Sequence, residues 1–366
     1  MWRYFLPTEV FFGFGALKEN GKLIEKLGKR ALVVTGKSSR KNGSLDDLKS
    51  VLDSIGVEYE VYDQVGENPS FEMLRDARRR YSNEDFDFVV GLGGGSPMDF
   101  AKAISVLLKN PDLSVPDIYD THKYDSMYPV VAIPTTSGTG SEVTQYSVIT
   151  DDEGNKSGFG TPFTFPTLSF VDPAYTKTMP KELTMSTGID ALCHAVEGYV
   201  SKRSNPLSDT LALESINLIK DNLKRAMEDP ENLEYRERMS LASNLAGMVI
   251  AQTGTTVTHA FGYPLTTFKG IRHGQATGIF LPYTLKMMRE ESKKVEDILN
   301  IFGGIDELEN FLEDVGVYDV KVEISEDEIE RWAERTSKAR HIAVTPGSFD
   351  LETVRKIYEE VAKRLA

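Results

Sequence analysis

The chain holds five histidines, His122, His194, His259, His273 and His341. Asp190 and His194 stand four residues apart in a stretch of helical pattern. That spacing sets a carboxylate and an imidazole on one helix face, as a metal pair requires. His259 follows the hydroxyl-rich run TGTTVT (253–258), and His273 lies between Arg272 and Gly274. One carboxylate with up to three imidazoles and no thiolate suits Fe²⁺, Zn²⁺ or a similar divalent ion. The single cysteine, Cys193, faces another side of the same helix and reads as packing. It excludes both an intrachain disulfide and a multi-thiolate zinc site. A lone histidine is more often a packed or surface residue than a ligand, so spacing by itself leaves metal binding and ordinary packing both open.

A second kind of chemistry is written in DFVVGLGGGSPMD (87–99). An apolar strand runs into four glycines, then Ser96 as an expected N-cap and Pro97 at the first helical position. Backbone amides on such a turn can approach a pyrophosphate closely, above the positive end of the helix dipole. Ser96 stands where the third glycine of G-x-G-x-x-G would be, so the dinucleotide fingerprint is absent. A tight turn closed by a Ser96/Asp99 capping box is the alternative; four glycines exceed what that turn needs and favour phosphate binding. The loop PTTSGTGSE (134–142) offers hydroxyls and exposed amides suited to a nucleotide, or serves only to join two strands. Gly36-Lys37-Ser38 lacks the upstream glycine of a P-loop, Ala31 standing in its place.

These residues need a frame. Short apolar strands at 30–35, 58–62, 87–92 and 128–133 alternate with amphipathic helices at 44–55, 71–81 and 97–108, the first opened by a Ser44 cap. This alternation predicts βαβ units and a parallel sheet covered on both faces. Extended character persists at 146–150 and 168–171. From Lys181 onward helical spacing dominates, as at 209–222, 233–251, 306–315, 326–338 and 351–365. The expected division is an α/β domain over 1–179 and an all-helical domain over 180–366, with a functional cleft between them. The 366 residues carry a net charge of −14, which excludes a general nucleic-acid-coating surface. No apolar run approaches the ~18 residues of a membrane helix. The apolar opening breaks at Pro7 and Glu9, too short for a signal peptide, so the expectation is a cytosolic protein. Four glutamines among abundant Lys and Glu give a composition like that of heat-adapted proteins.

In order along the chain, GLGGGSPMDFAK (91–102), PTTSGTGSE (134–142), GIDALCHAVE (188–197), His259 and GIRHG (270–274) resemble the iron-dependent (group III) alcohol dehydrogenases. The likeness runs from PTEVFFG (7–13) to the C-terminal helix. It implies a dehydroquinate synthase-like fold, an α/β dinucleotide-binding domain plus an all-α metal-binding domain. It implies that Asp190, His194, His259 and His273 ligate Fe²⁺, with Zn²⁺ or another divalent ion as alternatives. It further implies that Gly94, Gly95 and Ser96 hold the cofactor pyrophosphate with Asp99 close by, that Thr135, Thr136, Thr139 and Ser141 line the nicotinamide and its ribose, and that Asn68 lies on the adenosine side. The implied activity interconverts small primary alcohols and aldehydes by hydride transfer to nicotinamide C4, the metal acting as Lewis acid.

Two departures from the family pattern matter. Many NAD-using members carry Asp just after the first nucleotide-binding strand; here Gly36 is followed by Lys37, Ser38, Ser39 and Arg40. Glycine with hydroxyls and cations accepts a 2′-phosphate that a carboxylate would repel, which predicts NADP(H) in preference to NAD(H). Tyr263 replaces a second histidine that several members place four residues after the first, which leaves the proton route unassigned. Phe261 and Phe268 read as core residues or as an apolar pocket wall. The competing functions are a dehydroquinate synthase-type lyase, whose pocket should offer several cations where mainly Lys269 and Arg272 lie near the metal residues, a glycerol or diol dehydrogenase, and a non-catalytic nucleotide- or metal-binding module. A homodimer is the default assembly.

Overall fold

The computed structural model describes residues 1–366. The chain divides into two compact units. One comprises Phe5–Met179 with Glu231–Ser240; the other comprises Met1–Tyr4, Pro180–Pro230 and Leu241–Ala366.

The first unit runs β1 (Glu9–Phe12), α1 (Ala16–Asn20), β2 (Arg30–Thr35), α2 (Ser38–Lys41), α3 (Ser44–Ser54), β3 (Glu58–Tyr62), α4 (Phe71–Tyr81), β4 (Phe88–Gly93), α5 (Gly95–Lys109), β5 (Val130–Pro134), β6 (Ser147–Thr150), β7 (Lys156–Phe159) and β8 (Leu168–Val171). Six strands form one parallel sheet in the order β1-β8-β5-β4-β2-β3, while β6 and β7 form an antiparallel hairpin. Apolar residues alternate in their allegiance along β2. Ala31 and Val33 pack with Leu45, Leu48 and Leu52 of α3 on one face. Leu32 and Val34 pack with Leu74 of α4 and with Phe100 and Ile104 of α5 on the other. Burial on both faces is why these strands read as continuous apolar runs.

The chain steps from β2 to β3 on one side, then returns to place β4 on the other side of β2. The carboxyl ends of β2 and β4 therefore flank a topological switch point, the place where open α/β sheets bind ligands. Gly36 follows β2 there, and Gly94 follows β4.

Two expected caps are corrected. The N-cap of α5 is Gly94 in extended conformation, not Ser96, and the helix starts at Gly95. Ser96 and Pro97 thus lie inside the first turn, and the Asp99 carboxylate turns instead to Ser141 and Val148. The N-cap of α3 is Gly43 at φ 81°, and the Ser44 hydroxyl donates to Asn42 Oδ1 rather than capping. The short edge strand β1 and the hairpin strand β7 have no counterpart among the expected strands.

The second unit is helical: α6 (Lys181–Val200), α7 (Pro206–Glu228), part of α8 (Leu233–Thr253), α9 (Val257–Lys269), α10 (His273–Met288), α11 (Lys294–Phe302), α12 (Ile305–Asp314), α13 (Glu326–Ser337) and α14 (Leu351–Leu365). Asn205 caps α7, accepting from the amides of Leu207 and Ser208, so that helix begins three residues before its expected start. Helix α6 is buried over almost its whole length. No helix is long and apolar enough to cross a membrane.

Candidate metal centre

Three helices of the second unit converge on one carboxylate. Asp190 and His194 lie on α6, His259 is the third residue of α9, and His273 is the first residue of α10. From Asp190 Oδ1 the Nε2 atoms of His194, His259 and His273 lie at 3.8, 3.6 and 3.8 Å. Asp190, His259 and His273 each bring a ligand atom within 4.8 Å of the others. The His194 and His259 rings stack, 4.7 Å apart and inclined by 12°.

Close helix approach makes this possible. A Cβ on Gly274 would stand 1.9 Å from the Ser186 carbonyl oxygen and 2.7 Å from Asp190 Cβ, so only glycine lets the start of α10 lie against α6.

Glu197, one turn beyond His194, organises the second imidazole. Its Oε1 accepts from the Thr256 amide (3.0 Å), the Thr256 hydroxyl (2.7 Å) and the His259 amide (3.1 Å). Its Oε2 accepts from His259 Nδ1. A fully buried carboxylate thus caps the N-terminus of α9 and fixes the His259 ring with Nε2 facing Asp190.

The electrostatics ask for a cation. Burial pushes the Asp190 carboxyl upward, but His194, His259 and His273 outweigh it and hold it well below the usual carboxylate range. Burial opposes charge on His259, yet Glu197 and Asp190 outweigh that and raise the imidazole to about 10. Asp190 Oδ1 and His259 Nε2 are nevertheless buried without a hydrogen-bond partner. Ligand atoms about 2.1 Å from one tetrahedral ion stand roughly 3.4 Å apart, close to the spacing here. The Asp/His cluster is a site for a divalent metal.

Around it, Tyr263 stacks on His273 at 5.7 Å and meets His341 edge-on at 5.9 Å. Burial lifts the Tyr263 phenol to about 12 and depresses His341 to about 4. Phe261 is fully buried against Phe280 and Tyr358, and Phe268 is exposed beside Trp332, so Phe261 belongs to the core and neither ring needs a pocket to explain it. Lys269 is paired with Glu328 at 2.8 Å, so one of the few cations that a lyase pocket would call on is already engaged. Cys193 is buried.

In the first unit, the loops after β2, β4 and β5 leave adjacent strand ends. Gly94 and Gly95 face the hydroxyl-rich loop: a Cβ there would stand 3.3 Å from Thr136 and 2.7 Å from Thr139. Thr135 donates its amide to the Gly93 carbonyl at 2.8 Å. The Ser141 hydroxyl donates to Asp99 Oδ1 (2.6 Å) and accepts from Lys102 Nζ (2.8 Å), so it is engaged within the fold. Lys37 and Ser38 are exposed, whereas Gly36 and Ser39 are buried, the Ser39 hydroxyl donating to the Leu92 carbonyl at 3.4 Å. Asn68 is exposed and holds a left-handed conformation, φ 58°.

Both halves of the chain match family models: residues 7–173 match iron-containing alcohol dehydrogenase, and residues 184–362 match the C-terminal part of the Fe-containing alcohol dehydrogenase family. The chain belongs to the iron-containing alcohol dehydrogenase family. Among its relatives, the long-chain-alcohol dehydrogenase 1 of Geobacillus thermodenitrificans is 36% identical, over 86% of this chain and 84% of that protein. The 1,3-propanediol dehydrogenase of Klebsiella pneumoniae is 35% identical over 83% of this chain and 80% of its own length. The crystal structure of an iron-containing alcohol dehydrogenase from Thermotoga maritima superposes with a TM-score of 0.95 at 56% identity, covering 99% of this chain and 100% of that one. The chain is therefore a metal-dependent oxidoreductase of the alcohol dehydrogenase type, with the family's parallel-sheet domain followed by an all-α domain.

Glu197 escaped the sequence reading, although its signal was present. Asp190, His194 and Glu197 follow an i, i+4, i+7 pattern on one helical face.

Proposed function

We propose that this enzyme interconverts small primary alcohols and aldehydes with NADP(H), using Fe²⁺ held by Asp190, His194, His259 and His273. The observation that carries the reading is the convergence of three imidazole Nε2 atoms on Asp190 Oδ1 at 3.6–3.8 Å. When bound, the ion supplies Lewis acidity toward an alcohol or carbonyl oxygen, and the nicotinamide supplies the hydride acceptor or donor.

The chain's own residues supply placement. Asp190 and Glu197 set the negative charge that a divalent ion neutralises, and Glu197 keeps the His259 ring turned toward it. Gly94, Gly95 and Ser96 offer the first N–H groups of α5, which have no partner inside the helix, to the pyrophosphate. The first turn of α5 holds no acidic residue that would repel it. Thr135, Thr136 and Thr139 line the nicotinamide ribose; Asp99 and Ser141 act behind them by fixing the loop. Asn68 lies on the adenosine side. Lys37 and Arg40, beyond Gly36 and Ser38, meet the 2′-phosphate, Arg40 being held by Asp63 at 2.6 Å. Residues 1–179 bind the nucleotide and 180–366 bind the metal, in a cytoplasmic homodimer.

Metal-reconstituted protein is assayed with short primary alcohols and NADP⁺ or NAD⁺, and with aldehydes and the reduced cofactors. The expected result is turnover with a higher kcat/KM for NADP⁺, reduced about tenfold in the Lys37→Ala, Arg40→Ala variant. Absence of turnover in both directions overturns the proposal; equal use of NAD⁺ overturns only the cofactor preference.

A further inference from the structure

Lys102 lies two turns into α5 and has no exposed surface. Its ammonium donates to the Ser141 carbonyl at 2.7 Å, the Ser141 hydroxyl at 2.8 Å and the Tyr146 carbonyl at 2.7 Å. Three N–H groups thus meet three acceptors, which exhausts the donor capacity of a lysine. One turn earlier, Asp99 accepts from the Ser141 hydroxyl (2.6 Å) and the Val148 amide (2.9 Å), and its carbonyl accepts from the Ser147 hydroxyl (2.8 Å). Helix α5 therefore grips the segment 141–148 at four residues. Thr136 and Thr139 stand in the loop just before this segment, and a Cβ on Gly94 or Gly95 would meet them at 3.3 and 2.7 Å.

An apolar side chain of equal length would avoid burying an ammonium, but it would leave the Ser141 and Tyr146 carbonyls without their donor and the Asp99 carboxylate without the Lys102 charge. What the ammonium adds is direction. Three short bonds allow one placement of the loop relative to the helix, whereas an apolar contact allows sliding.

We propose that Lys102 is a positioning residue for the nicotinamide cofactor: through Ser141 and Tyr146 it locks the hydroxyl-rich loop onto the first turn of α5, so that the Gly94/Gly95 amides and the Thr136/Thr139 hydroxyls stand preset around the pyrophosphate and its ribose. The inference rests on the nucleotide site proposed above and adds to it a residue that does not touch the cofactor. Preset donors bind without the cost of ordering the loop, so loss of the lock weakens cofactor binding before it affects the chemical step.

The test uses the metal-loaded, full-length enzyme with Lys102→Met and, separately, Ser141→Ala, which removes the shared hydroxyl while keeping the ammonium. Cofactor Kd and KM, alcohol KM, kcat at saturating cofactor, bound metal and melting temperature are measured for each. The expected result is a rise of about tenfold or more in NADP⁺ Kd and KM for Lys102→Met, and a smaller rise for Ser141→Ala, with kcat at saturation and bound metal near wild type. The double variant is expected to be no worse than Lys102→Met alone, since both act through one lock. A lysine that merely supports the fold gives a lower melting temperature and active fraction with unchanged cofactor KM, and that outcome in both variants overturns the inference. Wild-type protein that binds neither NADP⁺ nor NAD⁺ overturns the nucleotide reading itself, and the inference with it.

Discussion

His259 donates Nδ1–H to Glu197 Oε2, and that one bond decides which nitrogen His259 turns toward Asp190. Glu197 Oε1 simultaneously holds the His259 amide and both donors of Thr256, so ring and backbone are fixed by one carboxylate. Removing the charge while keeping the shape tests this relationship. In Glu197→Gln the amide can accept from Nδ1 only through one oxygen, and the ring loses its anionic partner. Metal affinity is expected to fall about 10- to 100-fold, as for other partners of metal-ligating histidines, with activity partly restored by excess metal. Chelator competition measures the affinity; an unchanged value contradicts the role assigned to Glu197.

Gly274 sets the distance between the helices that carry Asp190 and His273. Gly274→Ala places a methyl 1.9 Å from the Ser186 carbonyl oxygen, which forces α10 away from α6. Overpacking of this kind costs about 1–3 kcal/mol. The variant is expected to melt earlier and to retain less metal, the two losses appearing together. A variant with a normal melting temperature and full metal content contradicts this account of how α10 is placed.

Lys102 makes stability depend on alkaline pH. Burial pulls its ammonium down to about 8 from 10.5, against the opposing attraction of Asp99 and Glu142. Between these values the unfolded chain binds the proton and the folded chain does not, so stability rises with pH in that window. Below about 8 both states are protonated and the burial penalty is present in full. Relative to Lys102→Met, the wild type is therefore expected to gain stability from pH 8 to pH 10. Urea unfolding at the two pH values measures the difference, and a constant gap between the proteins contradicts the assignment.

How much of this could be read from sequence depends on the physical range of each signal. The Asp190/His194 pair is a local, helical spacing and was legible as such. His259 and His273 enter through tertiary packing of α9 and α10, so residue types alone offer them as candidates beside the pair and the family resemblance makes the set of four definite. The βαβ frame was legible because strands such as β2 are buried on both faces and so are apolar throughout. Ser96 misled because the helix extends back to Gly95, where a glycine N-cap leaves no side-chain signature. Ser39 and Ser141 looked like ligand-facing hydroxyls, yet both donate inward, to the Leu92 carbonyl and the Asp99 carboxylate. Lys102 was invisible for the opposite reason. A single lysine on an amphipathic helix reads as a solvated residue, and only the distant Ser141 and Tyr146 carbonyls reveal it as buried.

Everything proposed for catalysis depends on Asp190 and the histidines around it holding the metal. The most direct measurement of this is metal content per chain, by elemental analysis, of wild type and Asp190→Asn after identical loading with Fe²⁺. Close to one ion per wild-type chain is expected, with a near-complete loss in Asp190→Asn and the helical circular dichroism retained. Equal metal in the two proteins would contradict it.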